Sequence, residues 1–212
     1  TWVTGVQTCA LPICGQEDIV VGTPTAGRSQ EDLQNVIGMF VNTLAMRNYP
    51  NAYKTFKEFL KEIKNNSIKA FQNQDYQFDQ LVHKLNIPTE LNKNPIFSTM
   101  FALQNMDMAQ IDFDDIKITQ YNFSNKIAKF DITLTAVEMD NVINMNLEYC
   151  TKLFKDDTMK SFINNFIKVT EMVVKDENIK IGDIQLVSEY EGEAIISQIK
   201  NLQEEIIIDI DF

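Results

Sequence analysis

In separate runs between Phe97 and Tyr149 every second position belongs to one strand-like face, and on both sides of that stretch apolar residues fall at every third or fourth. A period of two puts successive side chains on opposite faces of a strand, whereas a period near 3.6 gathers them into one stripe along a helix. A chain that passes from one rhythm to the other and back has to pack helices against a sheet, because neither element can bury its apolar face alone. The pattern predicts an α/β architecture with helices on a mixed sheet.

The rhythm can be followed along the chain. Asp18 to Gly22 (DIVVG) is an apolar run closed by Gly22, Pro24 and Gly27, and reads as a buried strand followed by a turn. Ser29 stands before Gln30, Glu31 and Asp32 and reads as the N-cap of a short helix. Ile37 to Arg47 is rich in strand formers. The longest helix is expected from about Tyr53 to Gln72, where Phe56, Phe59, Leu60, Ile63, Ser67, Ala70 and Phe71 recur at helical spacing. A second, short helix near 78–85 groups Leu81, Val82 and Leu85. Strand alternation then takes over in Phe97, Thr99, Phe101 and Leu103, in Ile116 and Ile118, in Ile132, Leu134 and Ala136, and in Ile143, Met145, Leu147 and Tyr149. The last two runs, joined around Asp140-Asn141, predict an antiparallel hairpin with Asn144, Asn146 and Glu148 on its wetter face. Helical spacing returns from Asp156 to Lys175.

Charge narrows the function. The 30 Asp and Glu against 19 Lys and Arg leave a net charge of −11. A nucleic-acid binder needs a basic face to displace counterions from phosphates, and an anionic membrane surface also attracts cations, so neither partner is expected. No apolar run approaches the roughly 18 residues of a membrane span, and no basic stretch leads into an apolar one as in a signal peptide. A cytoplasmic location is therefore expected. Three cysteines make no even disulfide framework, and Cys150, closing an alternating run, reads as a packed thiol rather than a nucleophile. The single histidine, His83, makes a zinc site improbable and reads as a partly packed residue beside Leu81 and Val82 rather than a general base. Asp114-Asp115 and Asp156-Asp157 read as solvated loops or helix starts. The chain contains no P-loop, dinucleotide-binding glycine pattern, GxSxG or HExxH.

The first residues stand apart. Val3 to Ile13 read VTGVQTCALPI, a string that resembles a translated DNA sequencing adapter. The alternative is a short native strand, although Pro12 interrupts it and no clean period runs through it. On the adapter reading, residues 1–15 add little to a core, and the natural gene continued upstream.

Five strings in order carry a resemblance. They are GTPTAGR at Gly22 to Arg28, IGMFVNTLAMR at Ile37 to Arg47, NQDYQFD at Asn73 to Asp79, NPIF at Asn94 to Phe97, and KFDITL at Lys129 to Leu134. In content, order and spacing they resemble the C-terminal core motifs of condensation domains of nonribosomal peptide synthetases, over about Asp18 to Tyr190. The family usually has proline where this chain has Gln77, and an Arg-Asp start and a Ser-Arg pair where it has Thr89, Glu90, Asn92 and Lys93. The segment from Ile181 (IGDIQLVSEYEGEAI) is similar to the linker that leads into an adenylation domain.

The resemblance implies a fold like chloramphenicol acetyltransferase, with residues 16–187 forming one of two lobes around a cleft and 188–212 a linker towards an adenylation domain. It implies amide formation between substrates held as thioesters on the phosphopantetheine arms of peptidyl carrier proteins, with no cofactor bound directly. The motif assigned to catalysis, HHxxxDG, belongs to the N-terminal lobe and is absent from this sequence, so the chain is expected to be inactive by itself and to need that lobe as a partner. Arg28, Asn42, Arg47, Gln74 and Asp75 are the motif positions the resemblance brings to the cleft. It further implies that Arg28 faces the aspartate of HHxxxDG, and that without it Arg28 is solvated or loosely paired. Phe40 and the Val41 to Leu44 segment are expected to contribute to an exposed apolar patch at the lobe boundary. Two other readings remain: an epimerization domain, which would replace Phe40-Val41-Asn42-Thr43 with a string containing tryptophan and proline, and a noncatalytic module that docks carrier proteins.

Overall fold

A computed structural model describes residues 15–88, 93–104, 127–139 and 142–186. The chain forms β1 (Ile19–Thr25), a 3-10 turn (Glu31–Leu33), β2 (Asn42–Asn48), α1 (Phe56–Gln72), α2 (Phe78–Lys84), β3 (Thr99–Gln104), β4 (Ile132–Met139), β5 (Val142–Tyr149), α3 (Asp156–Lys175) and a final 3-10 turn (Ile181–Asp183). The strands make one mixed sheet in the order β2-β1-β3-β4-β5. Its centre, β1 beside β3 and β3 beside β4, is parallel, and each flank is an antiparallel pair. The predicted hairpin is present, running from Ile132↔Tyr149 to Met139↔Val142, with Asn144 and Asn146 exposed. Residues 1–14, the Ile116 and Ile118 run, Thr89, Glu90 and Asn92, the Asp140-Asn141 turn and the 188–212 tail lie outside the described residues.

Alternation sets the core. Ile19 and Val21 of β1, Phe101 of β3, and Leu134 and Ala136 of β4 are buried together, with Phe166 of α3 packed against them. Val169 and Val173, one and two turns further along α3, close over Ile184. Phe59 and Ile63 of α1 are fully buried with Ile181. The segment after α3 is thus pinned under both long helices. Backbone bonds reinforce it: Phe56 N–H donates to the Ile179 carbonyl at 2.9 Å, and Ile181 N–H to that of Lys54 at 2.9 Å. Towards the β5 edge the cover is incomplete, and an apolar cleft of about 440 Å³ lies between Ile143 and Met145 on one side and Phe162, Ile163 and Ile167 on the other.

Three local expectations change. The long helix begins at Phe56, because Thr55 caps it: the Glu58 N–H donates to Thr55 Oγ1 at 3.2 Å, and the Thr55 N–H donates to the Glu58 carboxylate at 2.9 Å. Ser29 caps nothing. Gln30 occupies the cap position of a three-residue turn and makes no side-chain cap bond. The strand expected from Ile37 starts only at Asn42, since β1 ends at Thr25, opposite Asn42, and the residues before Asn42 have no strand to pair with.

Gly22 shows how two distant strings depend on one another. A Cβ at this position would lie 2.1 Å from Cε2 of Phe97, so the Phe97 ring occupies the space a side chain would need. That ring is in turn held between Phe78, at 5.4 Å, and Phe130, at 5.8 Å between centroids. Gly22→Ala is expected to destabilise the chain by about 1–3 kcal/mol, the usual cost of overpacking. A urea midpoint unchanged by the substitution would show that the ring moves aside freely.

The capping box makes a second prediction. The backbone N–H of Thr55, and then its hydroxyl, hold the Glu58 carboxyl below its ordinary value. A carboxyl whose pKa falls on folding stabilises the native state above its unfolded value, and that contribution is lost as pH falls through the folded one. Thr55→Ala should cost about 1 kcal/mol at neutral pH, and the gap to wild type should narrow in acid, below the ordinary glutamate range. Denaturation midpoints measured across pH check both the size and the sign.

Candidate functional site

The strings of the sequence meet at one end of β1 and β2. Thr25 closes β1 and is the register partner of Asn42, which opens β2. Asn42 is buried, and its side chain makes four hydrogen bonds. Nδ2 donates to the carbonyls of Gln74 at 2.7 Å and Tyr76 at 2.9 Å, while Oδ1 accepts from the N–H of Thr43 at 2.9 Å and of Phe78 at 3.2 Å. Two donors and two lone pairs are all that a primary amide has, so this one is saturated. It fixes the turn between α1 and α2. It also caps α2 from outside, because Gln77 at the cap position offers no side-chain bond. Thr25 Oγ1 donates to Gln74 Oε1 at 2.5 Å and ties the same turn to β1. Gln77 holds φ at −66°, the value a proline ring imposes, so the turn keeps that backbone angle without the ring.

From Thr25 and Asn42 springs the loop that carries Arg28. Gly27 has φ +64°, and a Cβ there would lie 1.8 Å from the Phe40 carbonyl oxygen; no other residue could bring the two ends of the loop so close. Arg28 is half-buried. Its Nη1 donates to the carbonyls of Leu33 and Val36, the latter at 2.8 Å, its Nη2 to that of Gly38 at 3.1 Å, and its guanidinium lies 4.5 Å over the Phe40 ring. Arg28 has no carboxylate partner among the described residues, in keeping with the expectation from sequence, but three carbonyls and a ring hold it more firmly than the loose pairing expected. Carbonyls left unpaired by an irregular loop take the place of a carboxylate.

Of the other candidates, Gln74 is in contact with Asn42 and Thr25, and Asp75 sits exposed in the same turn. Arg47 stands apart. Five residues along β2 from Asn42, about 17 Å at the strand's rise, it pairs with Asp18 at the opposite end of β1. There Nε donates to Oδ1 at 2.9 Å and Nη2 to Oδ2 at 2.7 Å. That hydrogen-bonded pair holds the Asp18 carboxyl below its usual value, and both side chains are exposed. His83 is exposed on α2, and Cys150 is a half-buried free thiol. Sequence reasoning missed Thr25 and Phe97 as contributors. The signal for Thr25 was two threonines alternating through an apolar strand, where a buried hydroxyl needs a partner.

The expected apolar exposure at Phe40 and Val41 to Leu44 is met at Val41 alone, and two residues just before that segment are exposed as well. Ile37, Met39 and Val41 are exposed by 101%, 93% and 61%, whereas Leu44 and Asn42 are buried, and Phe40 is half-buried beneath Arg28. Among the described residues no cluster of three or more His, Cys, Asp or Glu could hold a metal ion, and no helix is long and apolar enough to cross a membrane.

A mixed five-stranded sheet with two long helices laid on it is the lobe architecture of chloramphenicol acetyltransferase-like proteins. The sequence model of the condensation domain matches residues 10–196, and the chain belongs to that family. It is 46% identical over 184 residues to Gramicidin S synthase 2 of Brevibacillus brevis, covering 86% of this chain and 4% of that protein. With Tyrocidine synthase 3 of Brevibacillus parabrevis it shares 46% over 187 residues, 88% of this chain and 3% of the other. The chain thus spans a small part of the synthetases it matches. Among solved structures, a four-domain nonribosomal peptide synthetase bound to AMP and glycine superposes with a TM-score of 0.80 at 20% identity, over 90% of this chain and 16% of that one. The X-domain from teicoplanin biosynthesis, solved with OxyB, superposes with a TM-score of 0.76 at 21% identity, over 88% and 42%.

The saturated amide of Asn42 makes a prediction of its own. Asn42→Ala should destabilise by about 1–3 kcal/mol, because the Phe78 N–H and two carbonyls lose their partner. Asn42→Asp should be worse than alanine: it places a carboxylate oxygen against the Gln74 and Tyr76 carbonyls, where a donor is needed. Urea denaturation of the three proteins gives the order, and an aspartate variant as stable as wild type would refute the bonding pattern.

Proposed function

We propose that residues 16–187 are the C-terminal lobe of a condensation domain in a nonribosomal peptide synthetase, with 188–212 a linker towards an adenylation domain and 1–15 outside the domain. In the reaction, the amine nitrogen of an acceptor attacks the thioester carbonyl of a donor. The new C–N bond replaces the C–S bond, the donor's phosphopantetheine thiol departs, and the nitrogen gives up a proton. The observation that carries this reading is the family match across 10–196, at 46% identity to a peptide synthetase. The gathering of Thr25, Asn42 and Gln74 at one end of the sheet supports it, because residues from three separate strings share one hydrogen-bonded network.

In this reading the lobe supplies a wall of the cleft, with Arg28, Asn42, Gln74 and Asp75 at or behind it, and Arg47 bracing the far end of the hairpin. The acid–base group comes from the lobe that carries HHxxxDG. The two carrier-bound substrates bring the phosphopantetheine arms, so the lobe itself needs no cofactor. Much of the rate would come from holding two tethered reactants together, which one lobe cannot do. The partners are two peptidyl carrier proteins, the other lobe and an adenylation domain, in the cytoplasm.

The test uses two loaded carrier proteins. Joined to an HHxxxDG-bearing lobe from a relative, the chain should form amide, and alone it should not exceed the buffer control. Turnover by the chain alone, abolished in His83→Ala, would place the chemistry in this lobe and overturn the reading. A joined protein that binds carriers without turnover would favour the docking module.

A further inference from the structure

Two non-glycine residues among those described have a positive φ, Asn86 at +50° and Ile96 at +72°. Asn86 lies just past the end of α2, where a left-handed asparagine commonly closes a helix. No such explanation covers Ile96. A side chain branched at Cβ crowds its own backbone at this angle, and the conformation is an outlier for isoleucine. The Phe97 N–H donates to the Pro95 carbonyl at 2.9 Å, a bond reaching back only two residues. Ile96 is therefore the centre of a γ-turn of the positive-φ kind, which is rare and strained.

The neighbouring chain shows why the turn is there. Asn94 Nδ2 donates to the Lys129 carbonyl at 3.0 Å, and the Asp131 N–H donates to the Ser98 carbonyl at 2.9 Å. Five residues, 94–98, are thus tied at both ends to three, 129–131, and the excess is taken up as a buckle at Ile96. One shoulder of the buckle, Phe97, is buried, with its ring filling the space over Gly22 between Phe78 and Phe130. The other shoulder, Pro95, lines a cavity of about 500 Å³ with Asp79, Val82, His83, Asn86 and Ile87. Burial of the ring favours the turn, and the backbone angle at Ile96 opposes it.

We propose that Pro95–Phe97 is a sprung clasp, a conformational device in which the seated ring of Phe97 holds Ile96 under strain. From this state the corner opens locally: Ile96 relaxes to an extended angle, the ring leaves Gly22, and Pro95 draws back from the cavity beside α2. Strain of this kind persists only where its surroundings over-determine it, and it collects in segments that switch. A single residue separates Pro95 from Phe97, so the cavity wall and the aromatic seat change together. The clasp requires nothing of the reaction proposed above.

Glycine and alanine at position 96 separate strain from lost packing, since both discard the branched side chain and only alanine keeps a Cβ. In an extended backbone the alanine protein is the more stable of the two, and at a φ of +72° the order reverses. In the full chain the urea midpoint of Ile96→Gly should therefore exceed that of Ile96→Ala. An alanine protein at least as stable as the glycine one overturns the strain. Opening is read by hydrogen exchange at the Asp131 amide, whose acceptor is the Ser98 carbonyl two residues past the turn. In wild type its rate should be nearly independent of low urea, because local opening exposes little surface, while the Phe101 amide inside the sheet accelerates. The same urea dependence at both amides means global unfolding alone and overturns the clasp. The Asp131 amide should also exchange about fivefold more slowly in Ile96→Gly than in Ile96→Ala, and equal rates count against local opening from a strained turn. Phe97→Leu, or Phe97→Met if the leucine protein does not fold, reduces the ring that holds the turn. In that background the glycine–alanine difference in midpoint should shrink, and an undiminished difference overturns the role of the ring.

Discussion

A buried amide with all four of its hydrogen bonds made can sit in only one arrangement of its neighbours, and the end of the sheet is built around such a group. Asn42 opens β2, faces Thr25 across the ladder, and holds the turn from Gln74 to Phe78 in both directions, giving to two carbonyls and receiving from two N–H groups. Removing the neighbours from Asn42 would leave polar atoms in a place with no water to replace them. The start of α2 depends on it, since that helix has no cap of its own. The position of Phe78 depends on it as well, and through Phe78 the ring of Phe97 that lies against Gly22. The network is polar while the sheet interior beside it is aliphatic.

The parts of the fold that were legible in the sequence are those whose signal is local. The period of Phe59 and Ile63 and the helical spacing from Asp156 to Lys175 marked two long helices, and the alternation from Ile143 to Tyr149 marked a hairpin strand, because each pattern reports a face that some neighbour must cover. The legible parts of the site were its strings. Their meaning was not legible, since a motif letter does not say what it touches. Asn42 looked like one polar residue in an apolar run, and its use as a cap for a helix more than thirty residues away exists only once the chain is folded.

The misreadings have physical reasons. Ile37 to Val41 has the composition of a strand, but composition supplies no partner, and the left-handed turn at Gly27 takes the chain away from the ladder. Ser29 followed by acidic residues looks like a helix start, yet the turn begins one residue later, with Gln30 at the cap position and Ser29 outside it. Thr55-x-x-Glu58 is the same kind of signal in its complete form, with the reciprocal glutamate in place, and there the cap forms. Arg28 and Arg47 were indistinguishable as letters. Arg47 met Asp18 beside the neighbouring strand and Arg28 met backbone oxygens and the Phe40 ring, a difference that depends on strand register and loop path rather than on residue type.

The parallel centre of the sheet has a consequence for the life of the chain before it is complete. Gly22 in β1 pairs with Met100 in β3, so the two partners are separated by 78 residues. During synthesis from the amino end, β1 and β2 can close as a hairpin long before β3 exists, and for that interval one edge of β1 stands open. Such an edge is a template on which a strand from another molecule can build. Pro24, the last residue but one of β1, carries no N–H and so donates no bond to any strand laid beside it.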